Sequence, residues 1–426
     1  MRIESNGLPG IIKAVMGQQA PIASWSGIFE RSRTNSVGII RKASDAYAAG
    51  RVLGGICHGP LGLLRGRTPD GKLIVKGRRL TAHGLRFTRA QCNTCACSAS
   101  RATFFTGLYP AQHGVRNLIA CDNPKDPAQR RLPILPSHLP NLATVLAAAG
   151  YHVELKGKFH LSRPMRYNHE MKRHYWSEAD TRHMAERYGF HGVDAQILKL
   201  LGALDRNGLT NDTFVLRTSD HGELGMSHGR MRQKFYNVYR ETLSVPLIVS
   251  NPRLYPEPRV TDALASLIDV LPTLATVTGV PEPHRYGFEG RDLTPILSNP
   301  AAGVQDVLHF TYEDDVFPVK GADCIRAIVE RDWKYAVYYD PYTGAPPEYE
   351  MYDLANDPLE LTNLAHDAHR TPASDAERAR LHRRLSEVMH ANGTLPDEIC
   401  WPDETDYPPA SQAGADARDA GKRRAG

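Results

Sequence analysis

The sequence predicts an α/β fold with a sheet flanked by helices, because helical and strand patterns alternate along its middle part. Leu139 to Ala149 have the apolar spacing of an amphipathic helix that Gly150 ends, and Tyr151 to Leu155 follow as a strand. Thr213 to Leu216 form another short apolar strand. Apolar and polar residues alternate between Cys324 and Tyr339, which predicts further strands toward the C-terminal end.

Composition agrees with a globular protein that contains one large domain and a smaller unit. The chain has 426 residues, of which 41% are hydrophobic and 23% are charged. A chain of this length can bury a large core. The formal net charge is only +5, and no run of lysine and arginine with interleaved aromatic residues occurs outside the C-terminal tail. We therefore expect no nucleic-acid partner, and the basic residues can instead serve an anionic substrate.

Cysteine usage and the N-terminal sequence bear on the compartment. The seven cysteines are an odd number in a long chain, so they do not indicate a disulfide framework. The N-terminus lacks the basic, apolar and small-residue order of an export signal, and no apolar run approaches bilayer length. These features predict a cytoplasmic protein with no membrane partner.

The stretch from Cys97 to Gly107, CSASRATFFTG, carries the strongest chemical signal. A cysteine followed by small hydroxyl residues and an arginine suits the start of a helix, where free N–H groups and the positive end of the helix dipole stabilise anions. The guanidinium of Arg101 adds planar hydrogen-bond donors for an oxyanion. On cysteine statistics alone, a buried cysteine before an ordinary helix is the preferred interpretation.

This stretch resembles the signature of the sulfatase family, Cys-x-Pro/Ala-x-Arg, with Ala99 at the Pro/Ala position, and the eleven-residue match favours the functional interpretation. Leu108-Tyr109-Pro110 and His113-Gly114 continue the resemblance. It implies an alkaline-phosphatase-like sandwich with a large mixed central sheet flanked by helices and a smaller C-terminal antiparallel sheet. It also implies that a formylglycine-generating enzyme oxidises Cys97 to formylglycine. The hydrate of that group attacks the sulfur of a small-molecule or carbohydrate sulfate ester, and Arg101 steadies the hydrate.

A second motif, Gly157-Lys158-Phe159-His160-Leu161, resembles the sulfatase sequence Gly-Lys-Trp-His-Leu. The resemblance implies that Lys158 binds the substrate sulfate and that His160 assists at the hydrate. From the residues alone, Lys158 could be a solvated loop charge and His160 a hydrogen-bonded loop residue. Their position after a strand, where open α/β sheets carry ligand sites, favours catalytic roles for both.

Asp220 and His221 follow a predicted strand, where they can offer an oxygen and a nitrogen ligand to one divalent ion. This segment resembles the second metal motif of sulfatases, which implies that Asp220, His221 and residue Cys97 in its modified form hold the ion, commonly Ca²⁺ in this family. His228 and Lys234 follow in the family order, and we predict that both bind the substrate. Lys234 also matches a catalytic lysine that contacts the leaving-group oxygen, whereas a solvated helix-end lysine is the alternative.

Residues 42–83 depart from this pattern. Arg51 to Ile56 form a strand candidate that runs into Cys57-His58, and the surrounding sequence resembles a strand-turn-helix fragment of the class I glutamine-amidotransferase-like superfamily, which contains intracellular proteases and deglycases. A cysteine at such a turn can act as a nucleophile, so a thiol-dependent hydrolase working through Cys57 is one alternative function. The other interpretation is a recruited structural fragment, in which Arg51 to Ile56 replace the lost first strand of a sulfatase sheet.

Two parts of the sulfatase pattern have no counterpart in this sequence. The first strand of the family normally ends in an Asp-Asp pair that supplies two metal ligands, whereas only Asp45 and Asp70 precede Cys97 here. A longer segment that carries another active-site histidine is missing between His191 and Val193. An inactive sulfatase-like protein is therefore an alternative to an active sulfatase. A phosphonate or phosphodiester hydrolase of the same superfamily is the nearest enzymatic alternative.

The sequence divides the chain into five parts. We expect residues 1–41 to be poorly ordered and residues 42–83 to contain the amidotransferase-like fragment. The sulfatase-like catalytic core spans residues 84–310, and the small-sheet unit spans residues 311–400. The last part, residues 401–426, is rich in Pro, Ala, Asp and Arg and is predicted to be a disordered tail.

Overall fold

The computed structural model describes residues 84–119, 134–156, 160–161, 166–168, 173–175, 187–190, 192–194, 210–231, 233–313, 324–340, 345–395 and 401–402. The N-terminal parts with Cys57, the tail beyond residue 402 and Lys158 lie outside these residues. The predictions made for them stay predictions. Among the described helices, none combines the length and the apolar character that crossing a membrane requires.

The described strands and helices occur in the following order along the chain. The strands are β1 (Leu85–Gln91), β2 (Glu154–Lys156), β3 (Arg166–Asn168), β4 (Arg173–Tyr175), β5 (Gly192–Asp194), β6 (Val215–Thr218), β7 (Leu247–Ser250), β8 (Arg259–Ser266), β9 (Leu308–Tyr312), β10 (Cys324–Val329), β11 (Trp333–Tyr339) and β12 (Glu348–Asp353). The helices are α1 (Cys97–Thr106), α2 (Pro110–His113), α3 (Leu142–Ala148), α4 (Arg240–Leu243), α5 (Val270–Val277), α6 (Thr294–Ser298) and α7 (Pro372–Ala391). A further one-turn segment, Ser227–Arg230, is interrupted by non-helical backbone angles at His228 and Gly229.

The main sheet is mixed and has the strand order β6-β7-β1-β8. Strand β1 pairs antiparallel with β7 and parallel with β8, and β6 pairs antiparallel with β7. Along β1, Leu85 and Phe87 are buried while Arg86 and Thr88 are exposed, as expected because successive side chains of a strand point to opposite faces. The short strands β2 and β5 form a separate parallel pair, and β3 and β4 form an antiparallel pair.

The C-terminal sheet is antiparallel throughout and has the order β12-β11-β10-β9. Strand β10 is buried along its whole length because both faces of the sheet are covered. Ile325 and Ala327 pack into the main hydrophobic core, whereas Ile328 packs into a second cluster with Leu381 and Leu385 of α7. The sheet therefore lies between the main core and the long C-terminal helix. The mixed sheet and this antiparallel sheet confirm the predicted fold class.

Element boundaries differ from the sequence prediction for local reasons. Helix α3 begins after Asn141 and not at Leu139, because the Asn141 side chain accepts hydrogen bonds from the N–H groups of the first helical turn. The N–H of Tyr151 bonds to the carbonyl of Leu146 at 3.1 Å, so this residue still closes the helix and the strand starts later, at β2. Strand β6 likewise starts after Thr213, whose carbonyl accepts the side-chain amide of Asn251.

Asn93 joins the two sheets immediately after β1. Its side-chain oxygen accepts the Ser266 hydroxyl at 2.6 Å and the N–H of Ile268 at 3.0 Å, and its amide nitrogen donates to the carbonyl of His309 on β9 at 3.1 Å. The residue is only 1% exposed. Three segments distant in sequence therefore depend on one buried amide for their hydrogen bonds.

We predict that Asn93→Ala destabilises the protein by about 2–4 kcal/mol, because it leaves the buried N–H of Ile268 and the buried carbonyl of His309 without their partner. Urea denaturation followed by circular dichroism measures the loss. The control is Asn356→Ala, at an exposed turn, which we expect to cost less than about 0.5 kcal/mol. Equal losses for the two variants would contradict the role assigned to Asn93.

Candidate active site

Cys97 occupies the first position of α1, and the whole helix is buried. Ala96 precedes the helix without a side-chain cap, so the N–H groups of the first turn are left to partners other than a capping side chain. At the other end Gly107 adopts a left-handed conformation, with φ of 69°, and its N–H closes the helix on Thr103. The helix thus begins at the cysteine and presents its positive dipole end there.

A buried ion pair connects α1 to the segment after β6. Arg101 Nε and Nη2 lie 3.0 Å and 2.9 Å from Asp220 Oδ2, and the side chains of the two residues are 1% and 0% exposed. The hydroxyl of Ser100 also donates to the backbone carbonyl of Asp220. Asp220 lies two residues after the end of β6, so the pair fixes α1 against this end of the main sheet.

Cys97, His221 and Lys234 form a compact triangle beside this ion pair. Lys234 Nζ lies 2.9 Å from Cys97 Sγ and 2.5 Å from His221 Nε2, and Sγ lies 3.2 Å from Nε2. His221 Nδ1 lies 2.7 Å from the carbonyl oxygen of Gly222. Because a carbonyl only accepts, Nδ1 carries a proton, and in the neutral imidazole Nε2 then presents its lone pair to the ammonium. Lys234 is 2% exposed, so it is a buried cation and not a solvated helix-end lysine.

A tight turn directs Lys234 into the site. The N–H of Leu224 donates to the carbonyl of Gln233 at 3.1 Å, and the N–H of Met226 donates to the carbonyl of Met231 at 3.0 Å. The Glu223 carboxylate accepts the N–H of Gln233 at 2.7 Å. These bonds pair residues 223–226 with residues 231 and 233. Lys234 therefore lies next to the residues that follow β6.

His228 lies in this turn, but its described contacts are not with Cys97. Its backbone has φ of 46°, and its ring stacks on Tyr239 with centroids 3.7 Å apart and planes 13° apart. Nε2 lies 3.2 Å from Glu241 Oε2. Helix α4, which carries Glu241, also borders His221, because the N–H of Gly222 donates to the carbonyl of Thr242 at 2.8 Å. His228 is therefore connected to the triangle through α4 and not by a described contact of its own.

His160 is connected to the start of α1 by hydrogen bonds through Ile119. Its Nε2 lies 2.9 Å from the carbonyl oxygen of Ile119, and the N–H of Ile119 donates to the Ser98 hydroxyl at 3.0 Å. The His160 backbone has φ of 59°, a conformation that is uncommon outside glycine. The histidine thus contacts the segment that borders Ser98, the neighbour of Cys97.

Sequence reasoning missed the buried polar residues that support these groups. Ser98 and Ser100 bind Ile119 and the Asp220 carbonyl, and His113 supports the middle of α1. His113 Nδ1 accepts the N–H of Val115 at 3.1 Å, so Nε2 donates to the Thr103 hydroxyl, also at 3.1 Å. Burial lowers the pKa of His113 to about 3. Gly114, which ends α2 with φ of 76°, is the local sequence signal for a turn directly after His113.

Three of these side chains could hold a divalent metal ion. Cys97, Asp220 and His221 are buried and offer one sulfur, one oxygen and one nitrogen, all within 4.8 Å of one another. Replacement of the sulfur by a formylglycine oxygen would leave two oxygens and one nitrogen. This set fits a divalent ion whose remaining positions go to other ligands. It is smaller than the six to eight oxygens that Ca²⁺ takes, so the described residues do not single out calcium.

Comparison with protein-family models supports the interpretation of the fold and the site. The model described as "Sulfatase" matches residues 61–181 and 166–280, which together cover more than half of the chain. The model described as "N-sulphoglucosamine sulphohydrolase, C-terminal" matches residues 227–391. The chain belongs to the sulfatase family, within the alkaline phosphatase superfamily.

Curated relatives and solved structures agree with this assignment. The chain is 32% identical to an arylsulfatase K of Xenopus laevis over 41% of its own length and 32% of that protein, and 31% identical to a choline-sulfatase of Rhizobium meliloti over 41% of its length and 31% of that protein. It therefore spans about a third of the length of these relatives.

Two solved structures illustrate the shared fold. The structure of BT4656 in complex with its substrate D-glucosamine-2-N,6-O-disulfate matches with a TM-score of 0.56 and 15% identity, over 74% of this chain and 92% of the other. A phosphonate monoester hydrolase from Silicibacter pomeroyi matches with a TM-score of 0.54 and 15% identity, over 77% of this chain and 93% of the other. At these identities the comparison shows the fold alone.

We predict that His113 makes the protein acid-labile. Its folded-state pKa of about 3 lies below the unfolded value of 6.5, so its stabilising contribution is present above pH 6.5 and is lost as the pH falls toward 3. Between pH 6 and 4.5, His113→Gln should reduce the slope of the unfolding free energy against pH by up to about 1.4 kcal/mol per pH unit. Denaturant titrations at several pH values measure this slope. His390→Gln, at an exposed position, serves as the control and should leave it unchanged.

Proposed function

We propose that this chain hydrolyses sulfate esters of small molecules or carbohydrates, with formylglycine derived from Cys97 as its nucleophilic residue. The observation that carries the proposal is the buried triangle of Cys97, His221 and Lys234 at the start of α1. A nucleophile position, an imidazole and an ammonium converge there. This combination suits a reaction in which negative charge develops on a bound anion.

The charge of the site favours an anionic substrate. The buried ammonium of Lys234 lies 2.9 Å from Cys97 Sγ. An anionic group bound at residue 97 would lie close to this cation and gain a favourable electrostatic interaction. The positive end of α1 adds to the same field.

Each side chain has a role that follows from its contacts. Lys234 is placed to neutralise charge on the sulfuryl oxygens and on the leaving oxygen, because its Nζ lies against the Cys97 Sγ. His221 donates from Nδ1 to the Gly222 carbonyl and accepts a hydrogen bond from the Lys234 ammonium at Nε2, which lies 3.2 Å from Cys97 Sγ, so it orients the group at position 97. Arg101 acts as a positioning residue, since its described contacts hold Asp220 in place. The proposal also keeps three further roles: Lys158 binds the sulfate, His160 assists at the nucleophile and His228 binds the substrate.

Formylglycine supplies a hydrated aldehyde as nucleophile in place of the thiol. A divalent ion held by Asp220, His221 and residue 97 would supply Lewis-acid stabilisation of charge that develops near these groups. Calcium as that ion, a formylglycine-generating enzyme as partner and a cytoplasmic location rest on the resemblance and on cysteine usage. They stay predictions.

A carbohydrate sulfate is the substrate class that we favour. The structural neighbour BT4656 binds D-glucosamine-2-N,6-O-disulfate, and the C-terminal family model carries the name of an N-sulphoglucosamine sulphohydrolase. Phosphonate ester hydrolysis is the second candidate, because a phosphonate monoester hydrolase has the same fold with a nearly equal TM-score of 0.54. The two activities can be separated by assay.

The test of the proposed function is expression of the chain with a formylglycine-generating enzyme, followed by mass analysis of the Cys97 peptide and assays on an aryl sulfate, a glucosamine sulfate and an aryl phosphonate. We expect conversion of Cys97 and hydrolysis of the sulfates. Cys97→Ala should abolish turnover, while Cys324→Ala, in the C-terminal sheet, should retain it. Converted protein without sulfate turnover would overturn the proposal, and turnover of the phosphonate alone would favour the second candidate. Activity that depends on Cys57 and not on Cys97 would indicate a thiol hydrolase.

We predict a separate catalytic effect at Lys234. Lys234→Met should lower kcat/KM for an aryl sulfate by about 100- to 1000-fold, because a buried ammonium next to position 97 would no longer offset developing negative charge. Steady-state kinetics on the converted enzyme measure the change. The comparison variant is Arg253→Met, which removes an exposed cation and should leave kcat/KM within about twofold. A similar loss in both variants would argue against a local role for Lys234.

A further inference from the structure

We infer that the chain with unmodified Cys97 binds Zn²⁺, or a divalent ion of similar softness, through Cys97 Sγ, His221 Nε2 and Asp220, in competition with the ammonium of Lys234. The inference concerns the site of the proposed function. It rests on the donor atoms and distances in the thiol form, not on turnover.

The donor types select this class of ion. A thiolate, an imidazole nitrogen and a carboxylate oxygen are the ligands that zinc takes in proteins, and three protein ligands with one open position are typical of its reactive sites. Calcium and magnesium prefer oxygen donors, and sulfur does not suit them. With Cys97 as a thiol, the described donor group contains one carboxylate and no other anionic oxygen.

The separations between the donors agree with a tetrahedral site. Bonds of about 2.3 Å to sulfur and about 2.0–2.1 Å to nitrogen or oxygen at tetrahedral angles separate the donor atoms by about 3.4–3.6 Å. Cys97 Sγ lies 3.2 Å from His221 Nε2, and Nε2 lies 3.7 Å from Asp220 Oδ1. These two separations differ from the tetrahedral values by a few tenths of an ångström, and Cys97 Sγ lies within 4.8 Å of an Asp220 carboxylate oxygen.

Surrounding contacts orient two of the ligands. Arg101 makes its described contacts with Asp220 Oδ2, at 3.0 Å and 2.9 Å, while Oδ1 is the oxygen that faces His221. The His221 Nδ1–H group is held by the Gly222 carbonyl at 2.7 Å, which leaves Nε2 as the nitrogen that is available to a metal ion. A backbone carbonyl on the far nitrogen of a ligating histidine is a common arrangement in zinc sites and raises the basicity of the ligand.

Lys234 is the competitor of the ion. Its Nζ lies 2.5 Å from His221 Nε2 and 2.9 Å from Cys97 Sγ, so the ammonium contacts two of the three donor atoms. A divalent cation and an ammonium at such short range repel each other strongly in a buried site. Binding of the ion therefore requires the flexible lysine side chain to move away, and it releases the thiol proton of Cys97 to the solvent.

Conversion of Cys97 to formylglycine would reverse this preference. It replaces the soft sulfur donor by oxygen, so the same three positions would then favour a harder cation. The zinc affinity of the chain should consequently report the chemical state of residue 97. Zinc bound to the thiol form would be a competitor of the metal that the mature site takes.

The experiment uses the full chain expressed without a formylglycine-generating enzyme and freed of metal with a chelator. Titration with Zn²⁺ against a chromophoric chelator measures affinity, and titration with Co²⁺ shows whether a sulfur-to-metal charge-transfer band appears in the near ultraviolet. Cys97→Ser should remove the band and weaken Zn²⁺ binding at this site by about 100-fold or more, and His221→Gln should weaken it similarly. Cys324→Ala, which removes another buried free cysteine, is the matched control and should keep both signals.

Lys234→Met provides the opposite and more specific outcome. If the ammonium competes with the ion, this variant should bind Zn²⁺ at least about tenfold more tightly than the thiol-form chain that retains Lys234. A general loss of folding cannot produce tighter binding. Unchanged Zn²⁺ and Co²⁺ titrations in Cys97→Ser, or no gain in Lys234→Met, would overturn the inference. The zinc titration contains no sulfate ester, so its result is independent of turnover. Zinc binding to the thiol form without turnover of the converted protein would refute only the proposed function. Turnover of the converted protein without zinc binding to the thiol form would refute only this inference.

Discussion

The buried ion pair between Arg101 and Asp220 is the interaction on which the site depends. Its members come from α1 and from the segment after β6, the two elements that also carry Cys97 and His221. Removal of one member of such a pair commonly costs about 3–5 kcal/mol, because the other charge is left buried. The hydroxyl of Ser100 adds a second connection to the backbone of Asp220. The distance between the nucleophile position and the imidazole is therefore set by a contact that does not include either group.

The second buried cation, Lys234, has described contacts at the position of Cys97. Arg101 and Asp220 compensate each other at distances of 2.9–3.0 Å, whereas the ammonium of Lys234 faces a thiol and an imidazole. In the function proposed for the site, a sulfate group would bring negative charge next to this ammonium. Binding of such an anion would stabilise the arrangement, whereas a neutral or cationic ligand would gain no such attraction.

Sequence reasoning predicted the parts of the site that local geometry determines. Residues four apart on a helix lie on one face, so Cys97 and Arg101 could be placed together, and adjacent residues after a strand had to share one edge of the sheet. The partner of Arg101 could not be predicted, because Asp220 lies 119 residues away and only tertiary packing brings the two together. His228 illustrates the other limit. Its backbone φ of 46° redirects the side chain onto Tyr239 and Glu241, and no residue type in that turn signals the direction.

The chemical state of residue 97 decides how the space beside Lys234 is used. With sulfur at this position the ammonium contacts Sγ at 2.9 Å, and any metal ion must displace it. In the proposed formylglycine form an oxygen occupies this position, and a bound sulfate would attract both Lys234 and a metal ion, so the two cations would no longer only compete. The turn before Lys234 is held by backbone hydrogen bonds at both Leu224 and Met226, so the adjustment falls on the four-carbon side chain. One modified atom can thus change the ligand preference of the site while the backbone around it stays fixed.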